Sequence, residues 1–238
     1  MEQIFLPTTI EFAETDAPNV GKMVITPCHQ GYGTTLGNAL RRVLLSALPG
    51  SAVEAIKIKG VQHEFSALDG VMEDVIQIIL NVKQIAVRSF SDEPITLSLT
   101  KKGKGDITAG DFEKNSAVEI VNPDLKIATI TDDKVKFEMD IVIGRGRGYV
   151  PVAEKQTANL DLGTIAIDSL YTPIRDIGYS VEMTRVGDVT DFEKLTLRIE
   201  TNNAITPKEA VVQATKILMD HFALILDAAG GEGDKAIV

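Results

Sequence analysis

Residues 31–50 read GYGTTLGNALRRVLLSALPG, and this stretch decides the fold. Its apolar residues recur at spacings of three and four, which at about 100° per residue places them on one face of an α-helix. They are Leu36, Leu40, Val43, Leu44 and Ala47. A hydroxyl at Thr34 or Thr35 is predicted to cap the first turn, and the Pro-Gly pair at 49–50 to end the helix. The pattern therefore predicts one amphipathic helix over about 35–48.

Leu45 lies outside this apolar face, on the opposite side of the helix, beside Asn38, Arg41 and Arg42. Two arginines next to an off-face leucine are unusual on an acidic protein. One interpretation is a solvated face with a single stray leucine. The other is a docking face, because arginine beside an apolar anchor is typical of interface centres. The residues leave both open.

The composition is that of a soluble globular protein large enough for two modest domains or one large one. Hydrophobic residues make up 44% and aromatic residues 5% of the 238, without tryptophan, so the core must be aliphatic. The net charge of −10 argues against a chain that grips nucleic acid by itself, since this requires clustered lysine and arginine.

The single cysteine, Cys28, excludes an internal disulfide and is typical of a reducing compartment. No apolar run approaches the ~18 residues of a membrane span, and the N-terminus lacks a signal-peptide pattern. We expect a cytoplasmic protein with no membrane association, or an organellar protein that has lost a transit peptide.

The middle of the chain, residues 84–143, alternates like short antiparallel strands. A second helix is predicted before it, over 71–82, with apolar positions 72, 75, 76, 79 and 82 on one face. Arg145 and Arg147 continue the buried side of the strand at 135–143. They must therefore meet acidic partners, or a glycine bulge must turn them outward.

The last helix has the clearest start, a capping box with proline in the first helical position at 206–209, and it should run to about Asp227. Its apolar residues wrap around more than one face, so more than one face must be covered. They are Ala210, Val211, Ala214, Ile217, Leu218, Phe222, Leu224, Ile225 and Leu226. The cover is either the rest of the same chain or a second copy.

Catalytic chemistry finds little support in the sequence. The glycines at 31, 33 and 37 precede a helix, which favours an anion, but neither a P-loop lysine nor a dinucleotide-site acid follows. Gly37 more simply allows close approach to another backbone. The three histidines have no second ligand at metal spacing, and no nucleophile elbow occurs. We expect no catalytic residue, no metal and no cofactor.

Four stretches in register carry a family resemblance. Residues 31–50, 60–88 (GVQHEFSALDGVMEDVIQIILNVKQIAVR), 144–151 (GRGRGYVP) and 171–210 resemble the amino-terminal domain of the bacterial DNA-directed RNA polymerase alpha subunit. The resemblance covers nearly the whole chain in order. It implies an α+β fold with a discontinuous dimerisation subdomain, an antiparallel sheet with two long helices, over 1–50 and 172–227.

The resemblance also implies an inserted, mostly β subdomain over 51–171. Residues 228–238 would be a flexible tail, the start of a linker to the family's DNA-binding carboxy-terminal domain, which is missing here. Direct DNA binding is therefore not expected of this chain.

By the same resemblance the chain is a non-catalytic scaffold for transcription that forms a homodimer and recruits the beta and beta-prime subunits, with omega and sigma joining the full assembly. The implied contacts fall into three sets. For the beta subunit they are Arg42 and Leu45, with Arg41 beside them. For the dimer they are Phe5, Leu36, Leu40, Leu44, Phe222 and Leu226. For beta-prime or beta they are Lys83, Arg185, Arg145 and Arg147.

Two other function classes stay open on the residues alone. A small-molecule enzyme would place a phosphate at 31–37, but the chain offers it no positioned base, nucleophile or metal group. A dimeric DNA-binding regulator conflicts with the acidic charge and with the lack of a recognition motif.

Overall fold

The computed structural model of the chain describes residues 4–15, 17–155, 161–187 and 189–230. They form two units, one containing the residues up to 48 together with those from 174 onward, the other containing 49–173. The predicted α+β class is confirmed, with mostly antiparallel sheets and few helices. The end of the predicted tail, 231–238, lies outside the described residues.

The elements are numbered in chain order. The helices are α1 (Tyr32–Ser46), α2 (Val75–Val82) and α3 (Pro207–Ala228). The strands of the first half are β1 (Thr9–Glu14), β2 (Val20–Cys28), β3 (Pro49–Ile58), β4 (Val87–Ser89), β5 (Ile95–Lys102), β6 (Gly105–Thr108) and β7 (Val118–Ile120). Those of the second half are β8 (Lys126–Ile130), β9 (Lys136–Arg147), β10 (Tyr149–Val150), β11 (Thr164–Ala166), β12 (Ser169–Leu170), β13 (Ile174–Val186) and β14 (Val189–Thr201).

The first unit is an antiparallel four-stranded sheet with α1 and α3 packed against it. The strand order is β1-β2-β14-β13, so the two ends of the chain meet in one sheet. The helix α1 packs on β13 and β14, and α3 packs on β2, β14 and α1. The core between them is aliphatic, as the composition predicted, and includes Leu44, Leu48, Leu195, Leu197 and Ala210.

The start of α3 confirms the predicted capping box. The Thr206 hydroxyl accepts from the backbone N–H of Glu209 at 3.2 Å, and the Glu209 carboxylate accepts from the N–H of Thr206 at 2.9 Å. The helix has 22 residues, a length of about 33 Å. Its buried residues all lie in its first half, so the second half extends beyond the sheet that it packs on.

The second unit has its own core around the sheet β11-β3-β9-β5. The predicted helix over 71–82 begins only at Val75, because Asp74 caps it by accepting from the N–H of Gln77. Residues 71–74 instead pair with β8, where the Glu73 carboxylate accepts from the N–H and hydroxyl of Thr129. Of the predicted apolar positions Met72 and Ile76 are exposed, and the buried position that was not predicted is Ile78.

Arg145 and Arg147 both face solvent, although strand parity placed them on the buried side. A bulge accounts for this, as the second alternative predicted, but it lies at Glu54 in the neighbouring strand and not at a glycine. The β3–β9 register shifts between Val53 and Ala55, so Glu54 is an extra residue and the alternation along β9 reverses at Gly144. An acidic partner is present as well, because Arg145 pairs with Asp92 at 2.5 Å.

The bulged Glu54 belongs to a half-buried polar cluster. The Tyr171 hydroxyl donates to its carboxylate at 2.5 Å, and the Lys155 ammonium donates to its backbone carbonyl at 3.1 Å and to the Ser169 hydroxyl at 2.6 Å. Burial, and then the bond to Glu54, raise the pKa of Tyr171 to about 12 from 10.0. The second unit therefore depends on a neutral tyrosine.

A substitution at Gly37 tests how closely α1 packs on its sheet. An alanine in an exposed helix stabilises by about 1 kcal/mol relative to glycine, but a Cβ here would lie 2.7 Å from Tyr179 Cδ2 and 2.9 Å from Leu195 Cδ1. We expect Gly37→Ala to destabilise by about 1–3 kcal/mol, measured by urea unfolding. Asn38→Ala, at the exposed neighbouring position, should be neutral or stabilising, and a stabilising Gly37→Ala would contradict this packing.

The raised pKa of Tyr171 predicts that the protein loses stability at alkaline pH. This pKa is raised in the folded state, so the unfolded chain loses the proton first, and stability falls as the pH rises from about 10 to about 12. The full effect is about 2–3 kcal/mol, from about 1.4 kcal/mol per tenfold change in proton affinity. In urea unfolding at several pH values, Tyr171→Phe should flatten the decline in this window and Tyr149→Phe, at an exposed tyrosine of the same unit, should not.

Candidate protein-docking surfaces

The outer face of α1 consists of Thr34, Asn38, Arg41, Arg42 and Leu45. These residues follow each other at spacings of three, four or one, so they lie along one side of the helix from its first turn to its last. All five are exposed, and Leu45 exposes 38% of its surface. Neither arginine forms an ion pair with a residue that the structure describes. The face presents two uncompensated positive charges beside an apolar anchor.

Most of the inner face of α1 is buried against the rest of its own chain. Leu44 is fully buried and Leu40 nearly so, while Leu36 is half-buried. In this chain by itself, Leu40 and Leu44 offer little surface to a second copy, and any part they take in a dimer would be to support the residues around them. The close approach expected at Gly37 exists, but the neighbouring atoms belong to the Tyr179 and Leu195 side chains and not to a backbone.

The first turn of α1 is capped by a residue that the sequence analysis missed. The Glu193 carboxylate, from β14, accepts from the backbone N–H groups of Gly31 and Gly33, each at 2.9 Å. The predicted caps are wrong, since neither Thr34 nor Thr35 caps by its side chain, and the Thr35 hydroxyl donates back to the Gly31 carbonyl. A long-range contact of this kind has no local sequence signal.

The Glu193 carboxylate also argues against a phosphate-binding loop at 31–37. A helix N-terminus attracts an anion because its first N–H groups have no partner within the helix. At 31–33 two of these groups already hold a carboxylate from the same chain. A phosphate would have to displace a buried ionisable side chain that makes two hydrogen bonds.

The second half of α3 exposes several large apolar side chains. Phe222 exposes 61% and Leu226 47% of its surface, and both were predicted to lie in the dimer interface. Further exposed apolar side chains of this half are Met219, Leu224 and Ile225, and Val212 is exposed in the first half of the helix. Apolar patches of this extent on a soluble chain mark an interaction site.

Phe5 lies on a second apolar surface of the first unit. Its ring meets Phe192 edge-on with 6.0 Å between centroids, and it remains 65% exposed together with Ile4 and Leu6. The aromatic pair holds the amino-terminal segment against the end of β14, close in sequence to Glu193. This surface is accessible to a second molecule.

Lys83, in the second unit, is not a free cation. Its ammonium pairs with Asp168 at 2.9 Å, and the Asp168 carboxylate also accepts from the Val152 N–H. The Lys83 ammonium, more than the Val152 N–H, holds the pKa of Asp168 below its ordinary value. The pair lies at a groove of about 380 Å³.

The walls of this groove are exposed apolar side chains of α2 and the segment before it, namely Phe65, Ile76 and Leu80. The sequence analysis missed them, although the signal was available. The sequence of α2 is VIQIILNV, which is apolar on more than one face, and the argument applied to the last helix therefore applies here as well.

The other predicted arginines lie on strands. Arg185, in β13 of the first unit, donates to the Gly187 carbonyl at 2.6 Å. Arg145 and Arg147 lie in β9 of the second unit. The structure thus joins Arg41, Arg42 and Leu45 in one face and Phe222 and Leu226 in another.

In the described ranges, no set of three or more histidine, cysteine, aspartate or glutamate side chains is placed to hold a metal ion. Nor is any helix in those ranges both long and apolar enough to span a bilayer.

Comparison with known proteins gives consistent matches. A sequence model described as the RNA polymerase Rpb3/RpoA insert domain matches residues 56–172. The DNA-directed RNA polymerase subunit alpha of Symbiobacterium thermophilum is 50% identical over 218 residues, which is 92% of this chain and 68% of that protein. The proteins of the same name from Staphylococcus saprophyticus and Staphylococcus aureus are each 49% identical over the same shares.

Proposed function

The chain belongs to the family of bacterial DNA-directed RNA polymerase alpha subunits, and from this membership we propose that it is the non-catalytic scaffold that dimerises and recruits the beta and beta-prime subunits. As a family member it is a subunit of a transcribing nucleotidyltransferase. The observation that carries the proposal is the outer face of α1, where Arg41, Arg42 and Leu45 remain exposed on a helix whose other side is buried.

The beta subunit is the proposed partner of this face. A leucine anchor with two uncompensated arginines fits a partner that offers an apolar pocket with acidic or carbonyl groups at its rim. The scaffold itself contributes rigidity, because the same helix is fixed to the sheet through Leu40 and Leu44. A rigid helix loses little conformational freedom on binding, which favours affinity.

The homodimer is proposed to form through the second half of α3 and the Phe5 surface. Burying one large apolar side chain stabilises by about 1.5–3 kcal/mol, and α3 exposes several in a continuous stretch. A second copy supplies an identical apolar helix, which closes the interface by two-fold symmetry. Leu36, Leu40 and Leu44 would support this interface from within each copy.

For beta-prime we include the groove beside Lys83 in the proposal. It combines exposed apolar walls with a charged pair at one end, the composition expected of an interface with a polar rim. Arg185, Arg145 and Arg147 remain candidate contacts with either large subunit. The assembly would act in the bacterial cytoplasm, with omega and sigma completing it.

Arg42→Ala tests the docking face. The side chain makes no ion pair with the described residues and projects away from the core, so its loss should leave the dimer intact and change stability by less than about 0.5 kcal/mol. Capture of purified beta subunit should weaken by at least about tenfold, as for a central interface arginine. Arg198→Ala, at an exposed arginine on β14 that pairs with Asp176 and Glu200, is the control, and undiminished capture by Arg42→Ala would reject the docking assignment.

Phe222→Glu tests the dimer surface. A carboxylate in the centre of an apolar helix pair would be buried without a partner, so sedimentation should show a shift from dimer to monomer at micromolar concentration. Phe90→Glu changes a phenylalanine of similar exposure, 64%, in the other unit and should leave the dimer unchanged. A dimer that persists in Phe222→Glu would place the interface elsewhere.

A further inference from the structure

The outer face of α1 begins in the first turn of the helix, at Thr34, and this turn has no cap of its own. The residue before the helix, Gly31, has φ 86°, and no side chain of the first turn accepts from a free backbone N–H. Helix ends without such partners fray. The outer face therefore depends on whatever holds this turn.

The side chain of Glu193 bonds to this turn, although it is 160 residues away from Gly33 in sequence. One carboxylate oxygen accepts from the Gly31 N–H and the other from the Gly33 N–H, each at 2.9 Å, so a single side chain ties down two of the free donors. The residue is 8% exposed, which reduces competition from water. Its negative charge also interacts favourably with the positive end of the helix dipole.

The absence of a side chain at Gly33 leaves room for this contact. A Cβ at this position would lie 2.7 Å from the nearer Glu193 carboxylate oxygen and 3.0 Å from Val181 Cγ1. Any other residue would push the carboxylate away from the turn. Gly33, in the first turn of α1, and Glu193, on a strand distant in sequence, therefore form this contact together.

The strand that carries Glu193, β14, is paired with β2 at this residue. The β14–β2 register shifts between Glu193 and Leu195, with Glu193 opposite Cys28. Leu195 is fully buried and touches the space above Gly37. The carboxylate therefore projects from the part of the sheet on which α1 packs.

We propose that Glu193 is a positioning residue for partner docking: its carboxylate holds the first turn of α1 so that Thr34, Asn38, Arg42 and Leu45 present one continuous face to the beta subunit. This inference rests on the function proposed above. It adds a buried residue, outside the contact face, whose charge and length set the affinity of that face.

Three variants test the role. In Glu193→Gln the amide can accept from one N–H but turns an NH₂ group toward the other, so the first turn should open. Glu193→Asp keeps the charge on a shorter side chain. Glu182→Gln, on the neighbouring strand β13, removes an exposed carboxylate whose nearest cation is 3.8 Å away, and serves as the control.

The measurements are the dissociation constant for purified beta subunit, hydrogen exchange of the peptide covering 29–36, and the mass of the dimer. For Glu193→Gln we expect beta binding to weaken about tenfold, as for the loss of a charge-assisted hydrogen bond, with faster exchange confined to 29–36 and an unchanged dimer. Glu193→Asp should recover to within about threefold of wild type.

Each outcome decides between the two proposals. Equal binding of beta by wild type and Glu193→Gln, with beta bound by both, overturns the positioning role and leaves the scaffold function in place. Faster exchange throughout the sheet and α3, without recovery in Glu193→Asp, shows a general structural residue and also overturns it. Failure of the wild-type chain to bind beta rejects the scaffold function, and the positioning role falls with it.

Discussion

The packing of α1 on the β13–β14 part of the first sheet is the constraint on which the rest of the unit depends. One side of the helix is committed to this contact by Leu40, Leu44 and the glycines at 33 and 37, which let it lie close. The opposite side is then left to solvent or to a partner. A helix packed in this way, with its first turn also bonded to Glu193, presents Arg42 and Leu45 in defined positions.

Several charged groups of this protein find their partners within the chain. Glu193 supplies the anion that the start of α1 attracts, Lys83 pairs with Asp168, and Arg145 pairs with Asp92. Arg41 and Arg42, by contrast, form no ion pair with a residue that the structure describes, and they lie side by side on an exposed face. In a chain with a net charge of −10, basic groups that find no internal partner on an outward face are available for an intermolecular one.

The last helix shows how a single element serves two purposes. Its first half is buried by its own sheet through Ala210, Val211 and Ala214, and its second half leaves Phe222 and Leu226 uncovered. The change comes from length, since a helix of about 33 Å extends beyond the sheet that it packs on. A chain that carries such an apolar extension is soluble as a monomer only at a cost, which a symmetric dimer removes.

Local patterns determined much of this structure. The spacing of Leu36, Leu40 and Leu44 defined the inner face of α1, the capping box at 206–209 defined the start of α3, and alternation located most strands, because these features depend on neighbours a few residues apart. The tertiary structure alone decided the rest. The cap from Glu193, the bulge at Glu54 that turns Arg145 outward, and the pairing of Lys83 with Asp168 each join residues far apart in sequence. Such contacts depend on the register and twist of whole sheets, and no short window of sequence carries that information.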